Sequence, residues 1–580
     1  MPGFRLFGYF LMENNRTTEN PAPFLFYYAR MKPVAYLSLG AALLLAACAQ
    51  KSPTFDPYRL STEVKALSSD AFEGRAPDTP GEIKTVEYIT REFTDAGLSP
   101  GGDLKDGQRT WTQAVPLGRF EITGPVKISV SIGKESLPLA QGEQIAVRAA
   151  MTGATAVKVD NVPLVFVGYG VTAPERQWDD YKGVDLKGKI GIVLVNDPDF
   201  ETGQGDFGGK AMTYYGRWTY KYEEAARRGA VGMLVVHETG PASYGWETVR
   251  NSNTNTMFDI VRANPAEAHP QIEGWIQRDV AVDLFRRAGL DFEALKKEAQ
   301  TRDFKPVELK GEGFNADYAV SSQVITSHNV VGRIEGTKRP NETVIFSGHW
   351  DHLGIGAPDA RGDRINNGAV DNATGIAALI ELGRAFAHAK RPDRSVVFLA
   401  LTAEEKGLLG SEYYAANPLY PLATTVAVIN VDALSPWGPT RDFSISGSAK
   451  LDLLDMLVTD ARAWNRTYSP DAKPEAGLFF RSDHFPFAKR GVPAVSFDSG
   501  ENWVDGGLAA GKAAAEDYTE HRYHQPADEW NAKWPFTGMV RDLELIYKVG
   551  SDLARSDQWP NWAPGSEFRA ARDATAGERR

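Results

Sequence analysis

Thr343-Val344-Ile345-Phe346-Ser347-Gly348-His349-Trp350-Asp351 sets the pattern on which this chain is built: an apolar run, a short turn, then a histidine and a carboxylate. The pattern returns twice. Ser395-Val396-Val397-Phe398-Leu399 leads to Thr402-Ala403-Glu404-Glu405, and Thr425-Val426-Ala427-Val428-Ile429 leads to Asn430-Val431-Asp432. Runs this short and continuously apolar predict strands buried on both faces of a parallel sheet. Polar residues just past the carboxyl ends of such strands fall along one sheet edge, where open α/β folds place their ligands. Two further pieces, Gly368-Ala369-Val370-Asp371-Asn372 and Tyr523-His524-Gln525-Pro526-Ala527-Asp528, bring the same residue types. Together they predict a metal site.

A chain of 580 residues is too long for one ordinary domain. Its 42% hydrophobic and 24% charged residues are those of a soluble globular protein, and a formal charge of −11 argues against nucleic acid as a partner. Residues 1–48 read as an export signal rather than as fold. Met31-Lys32 gives a positive start, Val34 to Ala47 an apolar run too short for a comfortable membrane span, and Leu45-Ala46-Ala47-Cys48 an ending of small residues before a cysteine. This resembles a bacterial lipoprotein signal with Cys48 as the site of lipid attachment, and Met31 as an alternative start. It implies a membrane-anchored protein facing the periplasm or the cell exterior. Cys48 is the only cysteine, so an intrachain disulfide and a thiolate zinc site are both excluded.

Residues 54–120 begin the folded part with helices. Thr79-Pro80-Gly81-Glu82 is a capping box with proline at the first helical position, and Ile83, Val86, Ile89 and Phe93 predict its buried stripe. From 121 to 315 short strands alternate with glycine-rich turns, and a helix from Tyr222 to Arg228 gives way to a strand from Val231 to Val236. Gly168-Tyr169-Gly170 and Leu186-Lys187-Gly188-Lys189-Ile190 resemble a protease-associated domain, which implies a β-rich insertion. Residues 316–560 read as the catalytic domain, with a helix from Gly375 to Ala389. Residues 561–580, rich in charge, alanine and glycine, read as a disordered tail. The fold class expected is α/β, a mixed and mainly parallel sheet flanked by helices.

Without thiolates, a metal must be held by imidazole and carboxylate, a donor set that suits zinc. Two zinc ions about 3.5–4 Å apart need one bridging carboxylate and roughly two more ligands each. His349, Asp371, Glu405, Asp432 and His524 supply that number and type. The five pieces resemble the co-catalytic di-zinc exopeptidases, a family that includes secreted bacterial aminopeptidases and glutamate carboxypeptidases. The resemblance implies a zinc exopeptidase fold and peptide substrates. It implies that His349 and Asp432 bind one zinc, Glu405 and His524 the other, and that Asp371 bridges them. It further implies Glu404 as the general base and Asp351 as the carboxylate that orients His349.

Arg481-Ser482-Asp483-His484-Phe485 is similar to a loop near the substrate in that family. Phe479, Phe480 and Phe485 are candidates for an apolar pocket. Arg481 is a candidate for a substrate carboxylate, and Asp483 for a free amine. His352, His388 and His521 read as bystanders, and His237 and His269 as structural or surface residues. Gly506 to Lys512 imitates a phosphate loop but has Ala513 where a hydroxyl is needed. The leading expectation is an aminopeptidase of the type that removes N-terminal residues. Its rivals are a carboxypeptidase or glutaminyl-cyclase-like activity on the same scaffold, a catalytically silent binding protein, and a lipid-anchored solute-binding protein.

Overall fold

The computed structural model describes residues 54–579, so the signal region and Cys48 lie outside the described residues. In chain order come α1 (Pro57–Leu67), α2 (Pro80–Asp95), β1 (Thr112–Ile132), β2 (Ala156–Phe166), β3 (Ile190–Leu194), α3 (Trp218–Arg227), β4 (Gly232–His237), α4 (Trp246–Asn253), β5 (Ile272–Gln277) and β6 (Val307–Ile334). The C-terminal half follows with β7 (Arg339–His349), α5 (Thr374–His388), β8 (Arg394–Leu401), β9 (Thr425–Val431), β10 (Asp442–Ile445), β11 (Ala494–Ser499), α6 (Gly507–His521), α7 (Thr537–Arg555) and α8 (Arg569–Ala574).

The three apolar runs are the strands β7, β8 and β9, and every residue of β8 and β9 is buried. β7 lies between the other two and is parallel to both, and β11 adds a fourth parallel strand beside β9. β10 and β6 close this part antiparallel, on β11 and β8. Helices α5 and α7 cover the sheet. Gly550 of α7 permits the close approach, because a Cβ there would lie 2.2 Å from the Phe346 ring of β7.

Residues 121–315, expected from the sequence to be an insertion, are joined to the C-terminal half by β-structure. β1 and β6 pair antiparallel from Thr112 opposite Val330 to Ile132 opposite Glu312. The sequence boundaries at 120/121 and 315/316 fall inside these strands. β2 pairs with β6, and β2, β3, β4 and β5 then run parallel to one another, so the insertion continues the same sheet. It has its own apolar core, around Leu164, Phe166, Ile190, Leu234 and Phe285.

Two expectations need correction. In α2 the buried positions include Glu82, Thr85, Ile89 and Phe93, while Ile83 is 61% exposed. Glu82 is drawn in because it accepts hydrogen bonds from Ser327 Oγ at 2.9 Å and from the Asp78 amide at 2.6 Å. The tail is not disordered. Trp562 is buried, with its ring 4.9 Å from Phe568 and its Nε1 donating to the Gly491 carbonyl at 3.0 Å. Arg572 of α8 donates to the Thr425 carbonyl at 2.9 Å. One indole and one guanidinium outweigh the polar composition around them.

Candidate metal centre

The parallel register places Ser347 opposite both Leu399 and Asn430, so β7, β8 and β9 end at one level. His349, Glu404, Glu405 and Asp432 follow within a few residues. Asp371 arrives from the turn before α5, where the Asp371–Asn372 peptide bond is cis. His524 comes from the turn after α6.

These side chains converge around Asp371. One of its oxygens lies 3.3 Å from His349 Nε2, and the other 3.2 Å from His524 Nε2. His349 Nε2 is also 3.1 Å from Asp432 Oδ1, and His524 Nε2 is 3.0 Å from Glu405 Oε2. All five expected ligands therefore meet, in two groups that share Asp371. Glu404 Oε2 is 3.9 Å from His349 Nε2, and its carboxylate faces the same space.

His352, read from the sequence as a bystander, belongs to the site. It is fully buried with Nδ1 2.6 Å from Glu405 Oε1, and with Asp371 and Glu405 it forms a donor group that could hold an ion. His388 ends α5 away from these groups, and His521 is exposed beside Asp517.

The electrostatics fit a cation. Four carboxylates, Asp371, Glu404, Glu405 and Asp432, face three imidazoles in a buried space. Burial opposes a charged His524, yet Glu405 and Asp371 outweigh it and lift the imidazole to about 9. Burial likewise pushes Glu404 well above the usual carboxylate range. A divalent ion would supply the positive charge that protons otherwise bring.

Several residues hold the donors in place. Asn372 Nδ2 donates to the carbonyls of His349 and Val431, at 3.3 and 3.1 Å, and its Oδ1 accepts from the amides of Gly375 and Ala433. Asp528 accepts from the amides of Val370 and Asp371. Ser482 Oγ donates to Asp432 Oδ2 at 2.7 Å. Arg75, buried near the far end of the chain, donates to the carbonyls of Trp350, Asn367 and Gly368 and so ties the His349 and Asp371 turns together. The insertion contributes as well: Ser252 Oγ lies 2.8 Å from His524 Nδ1, and Asn251 Nδ2 donates to the His524 carbonyl. Sequence patterns flagged none of these roles, although Asn372 and Asp528 stand inside the quoted motifs.

Asp351 meets His349 through its main chain rather than through the carboxylate expected to orient it. The His349 Nδ1 bonds the Asp351 carbonyl oxygen at 3.1 Å, with the carboxylate at 3.7 Å. That carboxylate accepts from the Glu404 amide at 3.0 Å, fixing the turn that carries Glu404 and Glu405.

Two cavities meet at the donors. One, of about 530 Å³, runs past Asp432 to Trp437, Trp503 and the acidic groups Asp471, Asp498 and Glu501. The other, of about 520 Å³, lies between the Glu404 turn and the insertion. Of the loop candidates, Arg481 lines both, while Phe480 and Phe485 line the second. Phe479 faces neither and packs on Phe568, Trp562 and His484. Asp483 is also absent from both cavities. It is fully buried and accepts from Ser411 Oγ at 2.6 Å, so it lies behind the walls of both cavities.

A mainly parallel sheet gathers at its strand ends a histidine and carboxylate set that could hold metal ions. Residues 329–546 match the model for Peptidase family M28. Among known structures, an aminopeptidase from Aneurinibacillus sp. strain AM-1 shares the fold, with a TM-score of 0.51 and 19% identity over 88% of this chain and 97% of that one. A "Probable zinc metalloprotease" of Pyrenophora teres f. teres is 38% identical over 103 residues, 18% of this chain and 22% of its own length. The mouse protein "Aminopeptidase NAALADL1" is 37% identical over 168 residues, 24% of this chain and 20% of its own length. The match thus spans about a fifth of the length of these relatives.

Proposed function

We propose that the chain is a zinc-dependent exopeptidase with two metal ions, and that it removes N-terminal residues from peptides. The observation that carries this reading is the division of Asp371 between two imidazoles, one oxygen to each. His349 and Asp432 would hold one ion, and Glu405 and His524 the other, with Asp371 between them. When bound, the ions supply Lewis-acid activation of the attacking water and of the scissile carbonyl. Glu404, whose carboxylate faces the space between the donor groups, would take the proton from that water and deliver it to the leaving amine.

The aminopeptidase assignment is favoured by the acidic wall of the 530 Å³ cavity, where Asp471, Asp498 and Glu501 stand in place of Asp483 as groups for a free amine. Carboxypeptidase action is the second reading, favoured by Arg481 at the junction of the cavities. The insertion would act as a protease-associated module that buttresses His524. Cys48 would carry a lipid that holds the enzyme at an exported membrane face, which mass spectrometry of the mature N-terminus would test.

Metal analysis and peptide cleavage on protein lacking residues 1–48 test the catalytic reading. Two zinc ions per chain and loss of cleavage with a blocked amine would support it. Loss with a blocked carboxylate alone would assign a carboxypeptidase. Two metals without any cleavage would assign a silent binding protein, and absence of bound metal would sink the reading.

A further inference from the structure

The helix α6 forms one wall of the 530 Å³ cavity, with Leu508, Gly511, Lys512, Ala515, Tyr518 and Thr519 along it at helical spacing. Its seating is slight. α5 has the same length of 15 residues and buries eleven of them, whereas α6 buries Gly511 alone. There the helix rests backbone on backbone, since a Cβ on Gly511 would lie 1.8 Å from the Glu501 carbonyl oxygen. No apolar side chain of α6 is buried, so nothing interlocks it with the core. Ala509, Ala510, Ala513, Ala514 and Ala515 supply helix propensity where packing supplies little. A helix kept by composition rather than by interlocked side chains can shift as a body.

Its two ends differ. The chain is fixed up to Val504, whose amide donates to the Pro439 carbonyl at 2.8 Å. Gly506 and Gly507 follow with φ of +97° and +65°. A Cβ on Gly507 would meet nothing within 4 Å, so the left-handed backbone, not space, calls for glycine there. At the other end the Tyr518 hydroxyl lies 3.4 Å from Asp528 Oδ2, and Thr248 Oγ1 reaches the Tyr523 carbonyl at 3.4 Å. His524 is thus held, while Leu508, 48% exposed, stands over the cavity at the glycine end.

We propose that α6 is a lid hinged at Gly506–Gly507, which rocks on the Gly511 contact and closes on a bound peptide, and that Leu508 is the side chain with which it meets the substrate. Closure buries Leu508 and shuts water out of the cavity while His524 keeps its place. The peptide as occupant rests on the peptidase reading above; the hinge does not.

Cys48 is the only cysteine, so the Cys48→Ser chain takes spin labels only where cysteines are introduced. Ala509→Cys on α6 and Ala472→Cys on the cavity rim, both exposed, report the lid by electron–electron double resonance. Leucine hydroxamate added to the zinc-loaded protein should shift the mean distance by about 2 Å or more. Leu508→Ser should raise KM for leucyl-alaninamide about tenfold with Tm unchanged, because the residue is half exposed before closure. Leu508→Met should stay near the wild type. One narrow distance, equal with and without the hydroxamate, overturns the lid. An unchanged KM in Leu508→Ser, or a fall in its Tm, overturns the role of Leu508. If calorimetry finds no binding of the hydroxamate, the peptidase reading fails and the ligand-free protein decides. Two distances, open and closed, then support the hinge, and a single narrow one refutes it.

Discussion

Glu404 and Glu405 are neighbours with different work. Glu405 is held by His524 and His352, whereas Glu404 faces the space between the donor groups with only a long approach to His349. Glu404→Gln should therefore cut kcat by about 10²–10⁴-fold while zinc content by atomic absorption stays at the wild-type level. Ser252→Ala should have the opposite profile. It removes the partner of His524 Nδ1, and competition with a chelator should show zinc held about 10–100-fold more weakly. The contrast marks what a sequence can disclose. The five expected ligand positions, which the structure brings together, could be picked out because each follows an apolar run or stands in a compact motif. Ser252, Arg75 and His352 act across contacts that pattern and spacing do not encode. The same limit explains Asp483 and Phe479, whose neighbours, Ser411 and Phe568, come from segments distant in sequence.

Among the elements, the strands were readable and some faces were not. The apolar runs of β7, β8 and β9 needed no tertiary information, since burial on both faces forces the composition. The face of α2 did need it, because Glu82 is buried through Ser327, a partner some 245 positions away. The C-terminal segment shows how little composition says when one large side chain decides. Trp562→Ala should destabilise the protein by about 3–5 kcal/mol, read from urea denaturation, through loss of buried ring and an unmet Gly491 carbonyl. In the insertion, His269 sits between Glu273 and Asp259, at 2.7 and 3.1 Å. Burial opposes its charge, but the two carboxylates raise it from 6.5 to about 9. Its protonated form is thus favoured by folding. The contribution is complete below about pH 6.5 and is lost as pH rises through about 9. His269→Gln should flatten the decline in Tm across that interval.

For the molecule as a whole, the metal centre joins parts far apart in sequence: the ends of β7, β8 and β9, the turn before α5, and the turn after α6 that the insertion braces. Ion binding to such a set is linked to folding. Removal of zinc with a chelator should lower Tm, and added zinc should restore it along with activity. The overall architecture was the easiest part to anticipate, because alternating strands and helices leave few arrangements open. The boundaries of the insertion were harder, since turn-rich composition changes gradually while β1 and β6 run through it unbroken.

Those two long strands also bear on how such a gene could be rearranged. A recombination event that excised residues 121–315 would cut both strands in mid-ladder and leave unpaired amides on each side. It would also take Ser252 and Asn251 away from His524. Residues 121–315 are therefore not a unit that can be lifted out whole: the cut ladder and the freed histidine would both have to be mended.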